Sequence, residues 1–210
     1  MPPVSDPELT WACAKKDPHP NAEGHKVIAG AFAAVLAIIG TGTQGKRHRE
    51  AIPLVRPIRE IRMVGRGEPA EDAVRTADIV VTATSSREPV LRREWIRPGT
   101  HINAVGSSVP AARELDSATV AAASLFVDRR ESTVNESGDY LAALREGAIP
   151  GPAHIRAEIG EVLLGKAAGR QSSEEITLFK SLGLGIEDLA AAAHGFEKAG
   201  RLGTGTWVEF

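Results

Sequence analysis

An α/β fold with a doubly wound parallel sheet is the class this sequence predicts, and three observations carry it. Residues 35–39 form a charge-free aliphatic run, V-L-A-I-I, that breaks into Gly40-Thr41-Gly42-Thr43-Gln44-Gly45. That is the pattern of a strand buried on both faces and ending in a turn. Residues 46–52 then hold neither glycine nor proline, so a helix can follow at once. Beyond them, strand-like and helix-like stretches alternate along the chain, the rhythm of a parallel sheet crossed by helices.

Each glycine of the turn has a physical task in this reading. Gly40 makes the tight turn, Gly42 lets the main chain approach a pyrophosphate, and Gly45 lets helix and strand pack closely. The helix N-terminus offers N–H groups and a partial positive charge to the phosphates. With 21 glycines in 210 residues such a motif also arises by chance, so its place between strand and helix is what gives it weight.

The elements follow in order. Within residues 1–26, Pro2, Pro3, Pro7, Pro18 and Pro20 leave room only for a short helix at 7–15. After the first helix, residues 58–64 alternate apolar and charged side chains as a second strand and end at Gly65-Arg66-Gly67. The end of that strand faces the adenosine ribose in a dinucleotide fold, where an acid suits NAD and an arginine suits the 2′-phosphate of NADP. Arg66 therefore tilts the expectation toward NADP, with NAD as the alternative.

A short helix is expected at 72–77 and a buried strand at 78–84, with Ser85 and Ser86 at its C-terminal end, where open α/β sheets hold ligands. A surface turn at 94–100 feeds a strand at 101–105 that breaks into Gly106-Ser107-Ser108 at the same edge. A helix at 115–123, a strand at 125–128, a helical turn at 140–146 and a helix at 154–164 follow. A strand at 175–181, an alanine-rich helix at 186–198 and a glycine-rich tail complete the chain. Only about a dozen residues separate Gly65 from Asp78, too few for the helix, strand and helix of a complete mononucleotide-binding half. The sheet is expected to lack one strand on that side.

Composition excludes several classes. A net charge of −2 and 4% aromatic residues give no case for nucleic acid or an anionic membrane surface. One cysteine, Cys13, excludes an intrachain disulfide and suits a reducing cytoplasm. The charged first twenty residues lack a signal-peptide core, and the longest apolar run, 27–39, is too short to span a bilayer. No His/Cys/Asp cluster has metal-ligand spacing, and His101, ahead of a buried strand, reads as structural.

Four blocks in order, residues 37–45, 77–86, 99–108 and 179–183 with Glu187-Asp188, resemble the ornithine cyclodeaminase/mu-crystallin family. The resemblance runs from about residue 35 to 210. It implies a Rossmann-like NAD(P)-binding domain at 35–185, a tail at 186–210 that would pack on a substrate domain, and residues 1–34 as a remnant of that substrate and dimerisation domain or a disordered arm. It places cofactor phosphates on Gly42, Thr43, Gln44 and Gly45, and Thr84 and Ser85 along the cofactor. Val105, Gly106, Ser107 and Ser108, with Ser181 and Leu182, would lie near the nicotinamide.

Two departures from the family pattern matter. Cyclodeaminases carry an aspartate where this chain has Ser108, and a serine cannot serve as a carboxylate base. That disfavours ornithine cyclisation and suits the branch that reduces ketimines or interconverts oxo and amino acids, with Ser108 as a hydrogen-bonding candidate. The substrate-carboxylate residues belong to the shortened N-terminal domain, of which 19–30 with Lys15 or Lys16 could be a relic. The leading expectation is an NAD(P)-dependent oxidoreductase acting on the C–N bond of a small imino or amino acid, with a homodimer implied by the family. The alternatives are an NAD(P)- or small-ligand-binding protein without turnover, and an inactive remnant.

Overall fold

The computed structural model describes residues 33–206 and 208. The proposed remnant at 1–34, with Cys13, Lys15 and Lys16, lies almost wholly outside them. Seven strands form one sheet in the order β2-β1-β3-β4-β7-β5-β6, every neighbouring pair parallel. The strands are β1 (Ala34–Ile39), β2 (Ile58–Val64), β3 (Ile79–Thr82), β4 (His101–Ala104), β5 (Ser124–Val127), β6 (Ile155–Glu158) and β7 (Thr177–Lys180). The helices are α1 (Thr43–Val55), α2 (Glu71–Val74), α3 (Ser117–Ala122), α4 (Arg130–Glu136), α5 (Gly138–Arg145), α6 (Ile159–Leu163) and α7 (Gly185–Leu202).

β1 sits inside the sheet because it has no polar side chain to expose on either face. Val35, Ala37 and Ile39 join the main core with Val74, Val80, Leu91 and Leu178. Leu36 and Ile38 pack on the opposite face with Val81, against Ile52 of α1. Burial on both faces is what a doubly wound sheet requires. Asp78 anchors the entry to β3: its carboxylate accepts the Val35 amide at 2.7 Å and pairs with Arg97.

The short link after β2 behaves as its length requires. Four-residue α2 returns the chain directly to β3, which pairs with β1 on the side away from β2. Among the described residues β2 is left as an edge strand, so the strand expected to be missing is missing there.

One prediction fails beyond β5. The stretch read as a single helix at 154–164 is a 3-10 turn (Pro152–His154), then β6, then α6. Ile155 and Ala157 are buried while Arg156 is exposed, a two-residue period that the apolar stripe at 155, 159, 162 and 163 conceals. Glu158 and Glu161 form a capping box that starts the helix only at Ile159. α4 was not read from the sequence at all. It is held from outside, the Arg130 amide donating to Glu158 at 2.8 Å and its guanidinium to the Ile155 carbonyl at 2.7 Å.

α7 has no buried residue and exposes Ile186, Leu189 and Leu202. No helix among the described residues is long and apolar enough to cross a membrane.

Candidate functional site: the C-terminal edge of the sheet

The chain runs from β1 outward to β2 and returns to β3 on the other flank, so the strand order reverses between β1 and β3. Ligands of open α/β sheets bind in the crevice outside the strand ends at such a reversal. A cleft of about 830 Å³ lies there. Its walls come from the glycine turn, the loop after β2, the loop after β3 and the Pro89–Trp95 segment.

The glycine turn occupies the head of α1, and each glycine meets a different constraint. Gly40 has φ +123°, and a Cβ there would run into the Ala83 carbonyl oxygen. A Cβ on Gly45 would strike the Gly40 carbonyl oxygen. At Gly42, the N-cap residue of α1, a Cβ would meet nothing within 4 Å. Gly42 is therefore the position where missing side-chain bulk leaves space for a ligand rather than for packing. Among the described residues no side chain caps α1, and its first turn carries no acid. The exposed Thr43 and Gln44 begin a turn whose N–H groups lack partners within the helix. The donors and the open space fit a diphosphate.

On the β2 side, Arg66 lines the cleft together with Gly65, Gly67 and Glu68. The Glu68 carboxylate accepts the Gly65 amide at 2.7 Å. On the β3 side, Thr84 and Ser85 line the cleft. Thr84 is held from below, its amide and hydroxyl both donating to Glu114 Oε1, at 2.6 and 2.8 Å.

The remaining predicted residues cluster farther along the same edge. The Val105 amide continues the ladder to the Thr82 carbonyl at 2.8 Å, and the Ser181 amide reaches the Ala104 carbonyl at 3.0 Å. Ser108 is exposed in the loop after β4. The Leu182 and Gly183 amides donate to Asp128 at 2.6 and 2.7 Å. Ser107 is 3% exposed with φ 48°, and its hydroxyl donates to Asp139 while accepting from Lys180 at 3.0 Å. That hydroxyl faces the protein interior.

Three residues here escaped the sequence reading. Glu114, Asp139 and Lys180 are each at most 2% exposed, directly beneath the loops after β3 and β4. Asp139 accepts the Glu114 and Leu115 amides at 2.7 and 2.9 Å, and Lys180 lies 3.5 Å from its carboxylate. Burial pushes the Glu114 carboxyl above its usual range, while the Lys180 charge and the Thr84 donors pull it back. The available signal is a lysine near the end of the strand expected at 175–181, since an interior lysine requires partners.

The imidazole of His101 lies between Thr177 at 2.8 Å and Asn103 at 3.2 Å, away from the cleft lining. Burial pushes its pKa down to about 4. His154 is half-buried against the Val120 carbonyl at 2.8 Å. Among the described residues no group of three His, Cys, Asp or Glu could hold a metal ion.

Residues 67–201 match the ornithine cyclodeaminase/mu-crystallin family. The chain belongs to this family. The Delta(1)-pyrroline-2-carboxylate reductase of Bacillus cereus is 38% identical over 208 residues, covering 88% of this chain and 63% of that protein. The ketimine reductase mu-crystallin of Mus musculus is 39% identical over 197 residues, covering 85% of this chain and 60% of that protein. Among solved structures, the Thermococcus litoralis Delta(1)-pyrroline-2-carboxylate reductase in complex with NADH and L-proline superposes with a TM-score of 0.77. Its identity is 40%, over 84% of this chain and 61% of that one. This member of the ornithine cyclodeaminase/mu-crystallin family thus spans about three fifths of the length of these relatives.

Proposed function

We infer that this chain is the cofactor-binding portion of an NAD(P)-dependent oxidoreductase acting on the C–N bond of a small imino or amino acid. The observation that carries the reading is the bare glycine turn at the head of α1, opening on the cleft at the reversal between β1 and β3. The names of the relatives supply the substrate class: one solved relative holds NADH and L-proline, and others are a ketimine reductase and an alanine dehydrogenase.

In this reading Gly42, Thr43 and Gln44 present main-chain N–H groups to the diphosphate, and Gly40 and Gly45 hold that turn against β3 and α1. Thr84 and Ser85 support the half of the dinucleotide that crosses β3. Val105, Gly106, Ser181 and Leu182 border the far end, where the reduced nicotinamide, when bound, supplies hydride to a C=N carbon. Ser108 offers a hydroxyl for hydrogen bonding to substrate and cannot act as a carboxylate base.

Arg66 on the cleft wall favours the 2′-phosphate of NADP, whereas Glu68 beside it provides the acid that suits a ribose hydroxyl. We give Arg66 the larger weight, because the Glu68 carboxylate is already engaged by the Gly65 amide. The exposed apolar side chains of α7 suit packing on a substrate domain or a second copy, and a relative is described as a dimer with bound NAD. The single cysteine, Cys13, suits the cytoplasm.

A nicotinamide fluorescence titration tests the reading. Saturable binding of NADPH, tighter than NADH and reversed by Arg66→Ser, is expected. Equal affinity for both would overturn the preference for NADP, and binding of neither would overturn the whole reading. NADPH oxidation with pyruvate plus methylamine, or with a cyclic ketimine, then separates an enzyme from a binding protein.

A further inference from the structure

The buried cluster of Lys180, Asp139, Glu114 and Ser107 joins five segments of chain. Lys180, the last residue of β7, donates to the Gly106 carbonyl and to Ser107 in the loop after β4. Asp139, in the first turn of α5, accepts the Ser107 hydroxyl and the two amides at 114 and 115. Glu114, in the segment that leads to α3, holds the Thr84 amide and hydroxyl in the loop after β3 and the Thr82 hydroxyl at 2.9 Å in β3 itself.

The fit is tight at two backbone points. A Cβ on Gly106 would run into the Thr84 carbonyl oxygen and the Glu114 carboxyl group, and one on Gly138 would strike the Ala112 carbonyl oxygen. Ser107 is also the one non-glycine residue with positive φ among the described residues. Such a conformation persists only where the surroundings over-determine it, and it gathers where geometry serves function. An apolar core would fill the same volume without three buried charges. What the charges add is directionality: each is committed to main-chain groups, Lys180 to Gly106, Asp139 to Glu114 and Leu115, and Glu114 to Thr84 on the cleft wall.

A dinucleotide whose diphosphate rests on α1 extends its adenosine over β2 and its other half over β3 and β4. We propose that Lys180 is a positioning residue which, through Gly106 and Ser107 on one side and Asp139 and Glu114 on the other, locks the loops after β3 and β4 into one rigid floor for the nicotinamide half of the cofactor. This rests on the dinucleotide reading above. Lys180 itself touches neither cofactor nor substrate in this scheme. It fixes the ring's position and leaves the grip on the diphosphate to Gly42 and α1.

The test separates the two halves of the cofactor. Lys180→Met and Lys180→Arg are compared with the parent for affinity toward ADP-ribose, which reports the diphosphate site. The emission change of NADPH on binding reports the environment of the ring. The parent is expected to bind ADP-ribose and to change NADPH emission. Lys180→Met should keep ADP-ribose affinity within about threefold while losing most of the emission change, and Lys180→Arg should recover part of it.

Where Lys180→Met fails to fold, Ser107→Gly replaces it. That variant removes the hydroxyl and suits the positive φ, so it should fold and show the same split. Folded variants with the parental emission change would overturn the positioning role, as would equal losses of ADP-ribose affinity and emission. A parent that binds ADP-ribose without any emission change would also overturn it. A parent that binds no ADP-ribose would instead overturn the dinucleotide reading, and the positioning role with it.

Discussion

Substituting Gly42 and Gly45 by alanine should give opposite phenotypes, although the two glycines stand three residues apart in one motif. At Gly42 the backbone is extended, with φ −72° and ψ −171°, and an added Cβ meets nothing within 4 Å. The fold should therefore barely register Gly42→Ala. Alanine is somewhat worse than glycine at an N-cap, and its smaller unfolded-state entropy offsets about 0.4–1 kcal/mol of that. The methyl group instead enters the open space where the diphosphate is proposed to rest. Displacing the anion from even one main-chain N–H removes a charge-assisted hydrogen bond of about 1.5–3 kcal/mol. At about 1.4 kcal/mol per decade, NADPH affinity should fall roughly 10- to 100-fold.

Gly45→Ala meets the Gly40 carbonyl at a distance no real Cβ tolerates, and a main-chain oxygen cannot swing aside. Helix propensity returns about 1 kcal/mol, against an overpacking cost that reaches about 3 kcal/mol. A net loss of about 2 kcal/mol should lower Tm by about 4–8 °C in a chain of this size. Thermal unfolding and the nicotinamide titration, run on both variants, decide the matter. A Gly42→Ala variant with parental Tm and parental affinity would refute the placement of the diphosphate, however well Gly45→Ala behaved.

Other expectations concern the sheet. His101 has a folded pKa of about 4 against an ordinary value of 6.5, so the unfolded chain binds its proton first as pH falls. Its contribution is fully present above pH 6.5 and is lost toward pH 4; at about 1.36 kcal/mol per pH unit the loss reaches about 3 kcal/mol. Urea unfolding at several pH values should show this extra slope and its disappearance in His101→Asn; an unchanged slope in the variant would locate the effect elsewhere. Leu178, 1% exposed at the centre of β7 between β4 and β5, should cost about 2–5 kcal/mol on truncation to alanine. Urea unfolding reads that loss directly, and a cost below about 1 kcal/mol would contradict the packing described for β7.

Legibility in the sequence followed how local each signal is. β1, the glycine turn and β3 could be read because a charge-free aliphatic run followed by glycines or small polar residues suits little besides a buried strand and the turn that ends it. β6 could not, because Ile155 also belongs to a helical stripe with Ile159, Val162 and Leu163, and pairing with β5 is what marks the strand. α4 needed the Arg130 contacts to β6, which link residues more than twenty positions apart. The site divided in the same way. The half proposed to grip phosphates is one contiguous motif, legible as a glycine turn between strand and helix. The cluster under the far half draws on residues 82, 84, 107, 114, 139 and 180, which no spacing rule relates.

The shortened link after β2 poses the question of how the sheet tolerates an edge so close to the ligand cleft. Among the described residues β2 pairs only with β1, which leaves one row of its main-chain groups without a strand partner there. Its sequence answers with charge: Arg59 and Glu60 are exposed, and Arg62 pairs with Glu60 at 2.8 Å, the kind of side chain that discourages a second strand from adding. Arg62 also reaches the Thr76 hydroxyl at 2.8 Å and the Asp72 and Ala73 carbonyls at 3.3 Å. A four-residue helix has too few internal hydrogen bonds to satisfy its own end, and the guanidinium of the neighbouring strand supplies what is lacking. The crossing is thereby held against β2, and Gly65–Glu68 is carried from strand to helix at a fixed height on the cleft wall. A sheet that ends at β2 on this flank is compatible with the proposed diphosphate site, because that site would rest on the turn between β1 and α1 and on the loop after β3, inside the edge.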